Sequence, residues 1–345
     1  MVYPTFEKQR QTQVARKRPS FMENDPKIEA PAPLGRLLIV DGHAYAYRAF
    51  FAIRSLSSPT GEATNAIYGF IRMLGKMLER VRPSHAIVVW DGGLAEERMT
   101  LHPEYKAQRP EMPADLRLQL DPIVAYLGAA NVYSFLKDSC EADDCIAAIT
   151  HQATAAGMDV EIASSDKDFM QLVSPSVKLL NPHDRADTLF GVEEVKRKTG
   201  VEPTQIVDWL SLIGDSVDNI SGVPGVGPKT ATDLLRQFGS IDELYRRLSD
   251  VGSDRIRGNL QAAADLVRRN QKLVQLKGET QCEVRLEVLT VKPGDETALR
   301  QLYSGWGFRR LLSELENSAA RAGDFFTGNA KEMDYKAAGY LHEAN

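Results

Sequence analysis

The chain reads as an α/β protein with a mainly parallel central sheet flanked by helices, and three short apolar runs that each close on an aspartate carry this reading. They are Leu37-Leu38-Ile39-Val40-Asp41, Ala86-Ile87-Val88-Val89-Trp90-Asp91 and Val160-Glu161-Ile162-Ala163-Ser164-Ser165-Asp166. Runs this short and this rich in Val and Ile, separated by helix-length segments, predict strands buried on both faces. Open parallel sheets place ligand sites at the carboxyl ends of their strands, so these aspartates should converge on one edge.

Element by element, residues 1–33 carry Pro, Gln and charges, including Arg16-Lys17-Arg18, and predict a flexible extension that cannot bury enough apolar surface to order itself. An α/β core follows over 34–190, with helices near Ala63–Glu79 and Ala114–Leu127, a short strand at Asn131–Phe135 and a helix over Ala142–Ala156. This βαβ alternation implies right-handed crossovers. Within it, 93–118 is a charged, Pro-punctuated excursion, long for a βα connection and leaving from the carboxyl edge of the sheet. Residues 191–317 read as mostly helical, with segments over Pro203–Ile213 and Lys229–Phe238, and 318–345 as a flexible tail.

With 345 residues and 43% apolar content the chain can fill a full core. No run of 18 uncharged apolar residues occurs, and the start lacks the apolar stretch of a signal peptide, which predicts a cytoplasmic protein with no membrane association. Cys140, Cys145 and Cys282 are sparse and odd in number. That argues against a disulfide framework, no second Cys or His pair sits at zinc spacing, and the three read as small buried hydrophobes. A net charge of -5 disfavours a nucleic-acid binder at first sight. Setting aside the carboxylates proposed below for one cleft leaves a small positive balance, so any basic surface is local.

The strand-end acids gain company from Glu141-Ala142-Asp143-Asp144 and Asp215-Ser216-Val217-Asp218. Together Asp41, Asp91, Glu141, Asp143, Asp144, Asp166, Asp168, Asp215 and Asp218 form a constellation that repels itself unless cations neutralise it. Singly, several of these acids would cap a helix. Collected on one sheet edge, they predict two Mg²⁺ or Mn²⁺ ions, because oxygen-only ligands select hard cations. Two such ions roughly 4 Å apart suit an in-line phosphoryl displacement.

Between two helical segments lies Ser221-Gly222-Val223-Pro224-Gly225-Val226-Gly227-Pro228-Lys229-Thr230, a helix-hairpin-helix pattern. Gly222, Gly225 and Gly227 permit a tight turn, and the following helix N-terminus with Lys229 and Thr230 can seat a backbone phosphate without reading bases. In the excursion, Lys106 and Arg109 share a face if the segment is helical and could hold a scissile phosphate.

Val40-Asp41-Gly42, Tyr105-Lys106-x-x-Arg109, Glu141-Ala142-Asp143-Asp144, Ser165-Asp166-Lys167-Asp168, Gly214-Asp215-x-x-Asp218-Asn219 and the Gly222–Lys229 hairpin together resemble the 5′ to 3′ exonuclease domain of bacterial DNA polymerase I, of the flap endonuclease superfamily with its PIN-like core. The resemblance covers roughly residues 36–316. It implies a bacterial, nucleoid-associated, monomeric 5′ to 3′ exonuclease and flap endonuclease of replication and repair, acting on 5′-flap, nicked or junction duplex DNA. By this resemblance Asp41, Asp91, Glu141, Asp143 and Asp144 serve a first metal, and Asp166, Asp168, Asp215 and Asp218 a second. Lys106 and Arg109 touch the scissile phosphate from a helical arch, Tyr47 stacks an unpaired terminal base, and K⁺ is a further expectation at the hairpin. The family's polymerase modules are missing here, so a stand-alone nuclease is expected. A non-catalytic flap-binding module and a related ribonuclease are the alternatives, and the hairpin favours DNA.

Overall fold

The computed structural model describes residues 35–180, 189–278, 282 and 284–317. The expected extension at 1–33 and tail at 318–345 lie outside them. Among the described residues six strands form one sheet: β1 (Arg36–Asp41), β2 (His85–Trp90), β3 (Tyr133–Leu136), β4 (Asp159–Ala163), β5 (Val177–Leu180) and β6 (Leu189–Phe190), in spatial order β3-β2-β1-β4-β5-β6. All pairings are parallel except β5 with β6. Val40 lies opposite Val88 on one side and Ala163 on the other, so Asp41, Asp91 and Ser164 leave the sheet at the same edge. Strand order reverses between β1 and β4, and that reversal opens a crevice at their carboxyl ends.

Alternation along the strands sorts residues into two layers. Leu37, Ile39, Ile87, Val89, Val160 and Ile162 face one layer with α5 (Ala142–Ala155), whereas Leu38, Val40, Ala86, Val88 and Trp90 face the other. The second layer holds α1 (Gly42–Ala52), α2 (Asn65–Val81) and α4 (Ala114–Ala129). Helix α2 buries Ala66, Ile67, Phe70, Ile71, Leu74 and Met77, the spacing of an amphipathic helix. Helix α1 begins straight off β1 with Asp41 as its N-cap, and a Cβ on Gly42 would lie 2.6 Å from the Trp90 ring. Only glycine lets the chain turn there. Between β2 and α4 the short α3 spans Glu96–Leu101.

Beyond β6 come α6 (Val192–Thr199), α7 (Ile206–Ile213), α8 (Pro228–Phe238), α9 (Ile241–Arg246), α10 (Asp254–Ala262), α11 (Ala264–Val274) and α12 (Glu296–Gly305). Residues of α7, α8 and α11 share one apolar cluster with β1, β4 and α5, so the helical region packs into the sheet's own core. A two-residue ribbon, β7 (Gly214–Asp215) with β8 (Ile220–Ser221), projects between α7 and α8. Gly214 takes φ +76°, and a Cβ there would sit 2.4 Å from the Ile220 carbonyl.

The cysteines depart from expectation. Cys145 and Cys282 are joined as a disulfide, with Cα atoms 5.2 Å apart across a sequence separation of 137. Packing of the chain after α11 against α5 brings them together, a tertiary contact that cysteine spacing does not encode.

Candidate active site

Asp41 forms the floor of the crevice. As N-cap of α1 it accepts the Ala44 N–H at 3.0 Å, and its other oxygen accepts the Ser164 hydroxyl at 2.9 Å. Burial pushes its carboxyl up to about 6, against those two hydrogen bonds and with help from Asp166 and Asp91. Asp91 accepts the Gly93 N–H at 2.8 Å and donates its own N–H to His43 Nδ1 at 3.1 Å, leaving His43 Nε2 to carry the ring proton. Burial lowers the His43 pKa, although Asp91 pulls the other way. The turn after Asp91 is stitched to the approach of α5 by Gly92 N–H to the Cys140 carbonyl at 3.0 Å. A Cβ on Gly92 would fall 1.8 Å from the Lys137 carbonyl, so the residue must be glycine.

On the opposite wall the loop leaving β4 folds on itself. Ser164 Oγ accepts the Asp166 N–H at 3.1 Å, and Asp166 accepts the Asp168 N–H at 2.9 Å. Carboxylate oxygens of Asp168, Asp215 and Asp218 all lie within 4.8 Å of one another. Asp168 Oδ1 is buried and has no hydrogen-bond partner. Burial raises the carboxyls of Asp143, Asp166 and Asp168, and neighbouring acids add to it. Isolated anions this close favour protonation.

Six of the nine predicted acids, Asp41, Asp91, Asp143, Asp166, Asp215 and Asp218, line one cleft of about 520 Å³, and Asp168 stands behind it. Glu141 and Asp144 do not join them. Glu141 Oε2 takes Lys106 Nζ at 2.9 Å and Arg98 at 3.1 Å, while Asp144 receives a two-pronged Arg98 at 2.7 and 2.9 Å and the Lys277 N–H at 2.9 Å. Arg98 is 1% exposed and also donates to the carbonyls of Leu273 and Gln275. Sequence reasoning assigns no role to Arg98 or Ser164. A lone arginine in a charged loop carries no sign of the acids it will meet 43 and 46 residues later.

Lys106 and Arg109 do not lie on a helix. After α3 the chain runs in turns, with Pro103 and Pro110 interrupting helix formation. Lys106 adopts a left-handed φ of +56° and its N–H donates to the Asp218 carbonyl at 3.1 Å. Asn219 ties down the same turn through the Glu104 carbonyl at 2.9 Å. Although burial opposes it, Asp143 and Glu141 hold the Lys106 ammonium charged. Arg109 reaches the cleft and pairs with Asp218 at 2.5 Å, its side chain 41% exposed.

Tyr47 lines the cleft and stacks on Phe51 with ring centroids 6.4 Å apart, and Phe51 is itself exposed. In the hairpin, Val223 and Val226 are buried while Gly225, Gly227 and Lys229 face outward, and Thr230 is half-buried. A Cβ on Gly222 would lie 2.2 Å from the Ile213 carbonyl, and Gly225 holds φ +75°, whereas Gly227 is extended with open space around it. From Lys167 at the cleft to Lys229 on α8 runs an open trough, with Arg197, Lys198 and Arg236 along it.

The sequence and the fold have counterparts among known proteins. Residues 36–200 match the family described as 5′-3′ exonuclease, N-terminal resolvase-like domain, and residues 201–297 match 5′-3′ exonuclease, C-terminal SAM fold. The 5′-3′ exonuclease of Aquifex aeolicus is 37% identical over 280 residues, 81% of this chain and 95% of that protein. DNA polymerase I of Bacillus subtilis is 35% identical over 289 residues, 83% of this chain but 33% of the polymerase, so the chain spans a third of that relative. Among solved structures, the bacteriophage T5 flap endonuclease in a complex with DNA and metal ions superposes with a TM-score of 0.60 at 23% identity, over 81% of this chain and 98% of that one. The catalytic core of Rad2 in complex with DNA substrate gives 0.55 at 16%, over 79% and 87%. At these identities the structural likeness establishes the fold.

Proposed function

This chain belongs to the 5′-3′ exonuclease family, and we propose on that premise that it is a structure-specific 5′ nuclease that hydrolyses DNA phosphodiesters with two divalent metal ions. The carrying observation is the acidic cleft. A buried carboxylate oxygen without a partner belongs to Asp168, which clusters with Asp215 and Asp218, and these two line the cleft with Asp41, Asp91, Asp143 and Asp166, an oxygen-only donor set suited to hard cations. Asp41, Asp91, Asp143 and Asp166 would hold one Mg²⁺ or Mn²⁺, and Asp168, Asp215 and Asp218 the other. Such ions supply a hydroxide nucleophile at neutral pH and neutralise the leaving 3′ oxygen. Glu141 and Asp144 act one layer back, where they fix Lys106 and Arg98.

The chain's own groups position the substrate. Arg109 at the rim would exchange Asp218 for a phosphate oxygen, and Lys106 would stand behind it as a preorganised cation. Tyr47 with Phe51 offers a face on which an unpaired terminal base can stack. The duplex backbone would follow the trough of Lys167, Lys198 and Arg236 to the hairpin, a sequence-independent grip suited to a flap or nick. The bacterial relatives suggest the nucleoid as its setting. The test is a 5′-labelled flap, compared with nicked duplex and single strand, incubated with Mg²⁺ or Mn²⁺. Cleavage of the flap in the wild type, with none in Asp166→Asn/Asp168→Asn and DNA affinity retained, is the expected result. A double variant cutting at near wild-type rate overturns the metal assignment.

A further inference from the structure

Among residues that do not line the cleft, beside the N-terminus of α5, three sulfur atoms meet. Cys140 Sγ lies 3.1 Å from Cys145 Sγ and 3.3 Å from Cys282 Sγ, and Cys145 and Cys282 are themselves bonded. All three residues are buried. Their Sγ atoms form a compact triangle in which every member touches the other two, and a disulfide engages two of them and leaves the third with nothing to do. A single thiophilic cation engages all three. Cys140 immediately precedes Glu141, the N-cap of α5, and Cys145 lies in the following turn, so both sulfurs sit near a helix N-terminus, which favours thiolate. Burial and the nearby Asp144 and Glu141 carboxylates push the Cys140 thiol up, and the Lys137 and Arg98 charges oppose that rise, so the site rests on the sulfur geometry and on the charge an ion would bring.

We infer that, once reduced, Cys140, Cys145 and Cys282 form a thiolate site for one thiophilic d¹⁰ ion such as Zn²⁺ or Cu⁺, separate from the acidic cleft. Soft sulfur ligands select such ions over Mg²⁺, as the carboxylates select the reverse. Reduction by a dithiol breaks the Cys145–Cys282 bond, gives two thiols and leaves the reductant as a cyclic disulfide. Binding then displaces protons from the thiols to solvent. The consequence is mechanical. Cys282 follows the stretch whose Leu273 and Gln275 carbonyls and Lys277 N–H hold Arg98 and Asp144, so the ion would fasten that stretch to the helix bearing Asp143.

The test uses the full chain, reduced with a dithiol, freed of reductant and titrated with Cd²⁺ in excess Mg²⁺. The ultraviolet thiolate-to-Cd²⁺ charge-transfer band should rise to one equivalent. Cys140→Ser should weaken binding at least tenfold, and Asp168→Asn should leave the band unchanged, which separates this site from the cleft. Because Cys145→Ser and Cys282→Ser also remove the disulfide and with it folding stability, the wild type carries a second readout. Zn²⁺ should protect all three thiols from alkylation, counted by mass spectrometry. Absence of the band, an undiminished band in Cys140→Ser, or a chain that stays two hydrogens lighter after the dithiol each overturn the site and leave a plain structural disulfide.

Discussion

Among the described residues Arg98 is the largest fully buried side chain, and a guanidinium out of water is tolerable only with its charge met and its donors satisfied. Asp144 and Glu141 supply the charge, and two carbonyls take remaining N–H groups. Removing it takes away the guanidinium that meets both oxygens of buried Asp144 and leaves Glu141 with Lys106 as its cationic partner. Arg98→Ala should therefore cost about 3–5 kcal/mol of stability, measured by denaturant unfolding, well beyond the loss from an exposed ion pair. Lys106→Ala tests a different property, since its ammonium also meets Glu141 but stands beside Asp143 at 3.8 Å, at the cleft. Its single-turnover cleavage rate should fall by roughly 10², with little change in duplex affinity. Weakened affinity with unchanged turnover would make Lys106 an ordinary backbone contact. The acids were legible in the sequence as a set because most of them end a strand or open a helix, Asp218 in the turn between β7 and β8 being the exception. Which of them face the cleft was not, since Glu141, Asp143 and Asp144 are neighbours on one helix start and point to different partners.

At the scale of elements, the strands β1, β2 and β4 and the helices α2, α4, α5 and α8 were legible because their apolar spacing is strong and their flanks carry turn residues. Helix α1 was hidden: Asp41 serves at once as strand end, helix cap and site acid, so no loop announces the change. Strands β5 and β6 are four and two residues long and offer no period to read. The helix that would put Lys106 and Arg109 on one face is absent for a physical reason: Lys106 takes a left-handed φ of +56°, and contacts from the Asp215–Asn219 loop set the turns of the excursion. The hairpin's glycines are separable by the same kind of reasoning. Gly225→Val forces a branched residue into φ +75° against Arg255 and should disturb the turn itself. Gly227→Val meets open space at an extended φ, so it should fold like the wild type and obstruct only what approaches α8 from outside. If a duplex phosphate sits there, Gly227→Val weakens binding to all sequences and flattens the salt dependence by about 0.9 for each phosphate no longer neutralised. Unaltered flap affinity and salt slope in the folded variant would show that the hairpin is a structural turn only.

Across the whole molecule, the acidic cleft couples folding to pH and to cations. Asp41 has a pKa of about 6 in the folded chain against 3.8 for the free side chain, so the folded state binds that proton more tightly than the unfolded state. Stability contributed by this group is full below 3.8 and falls as pH rises through about 6, a loss of about 3 kcal/mol. Asp143 and Asp168 are shifted the same way and add to the loss as pH rises. Cations in the cleft reverse the balance, since they bind the ionised carboxylates and stabilise the folded chain by mass action, about 2.7 kcal/mol at a hundredfold excess over Kd. Melting temperatures of the metal-free chain should then show that Asp41→Asn, which keeps one oxygen to accept the Ala44 N–H and turns an NH2 toward the Ser164 hydroxyl but cannot ionise, gains on the wild type as pH rises from about 4 to about 7. Mg²⁺ should raise the wild-type melting temperature strongly near neutral pH and little near pH 4, where protons hold the same oxygens. Equal Mg²⁺ shifts at both pH values, or a wild type that outgains Asp41→Asn on raising the pH, would mean that the carboxylates are not held apart from water and that the cleft is not a cation site.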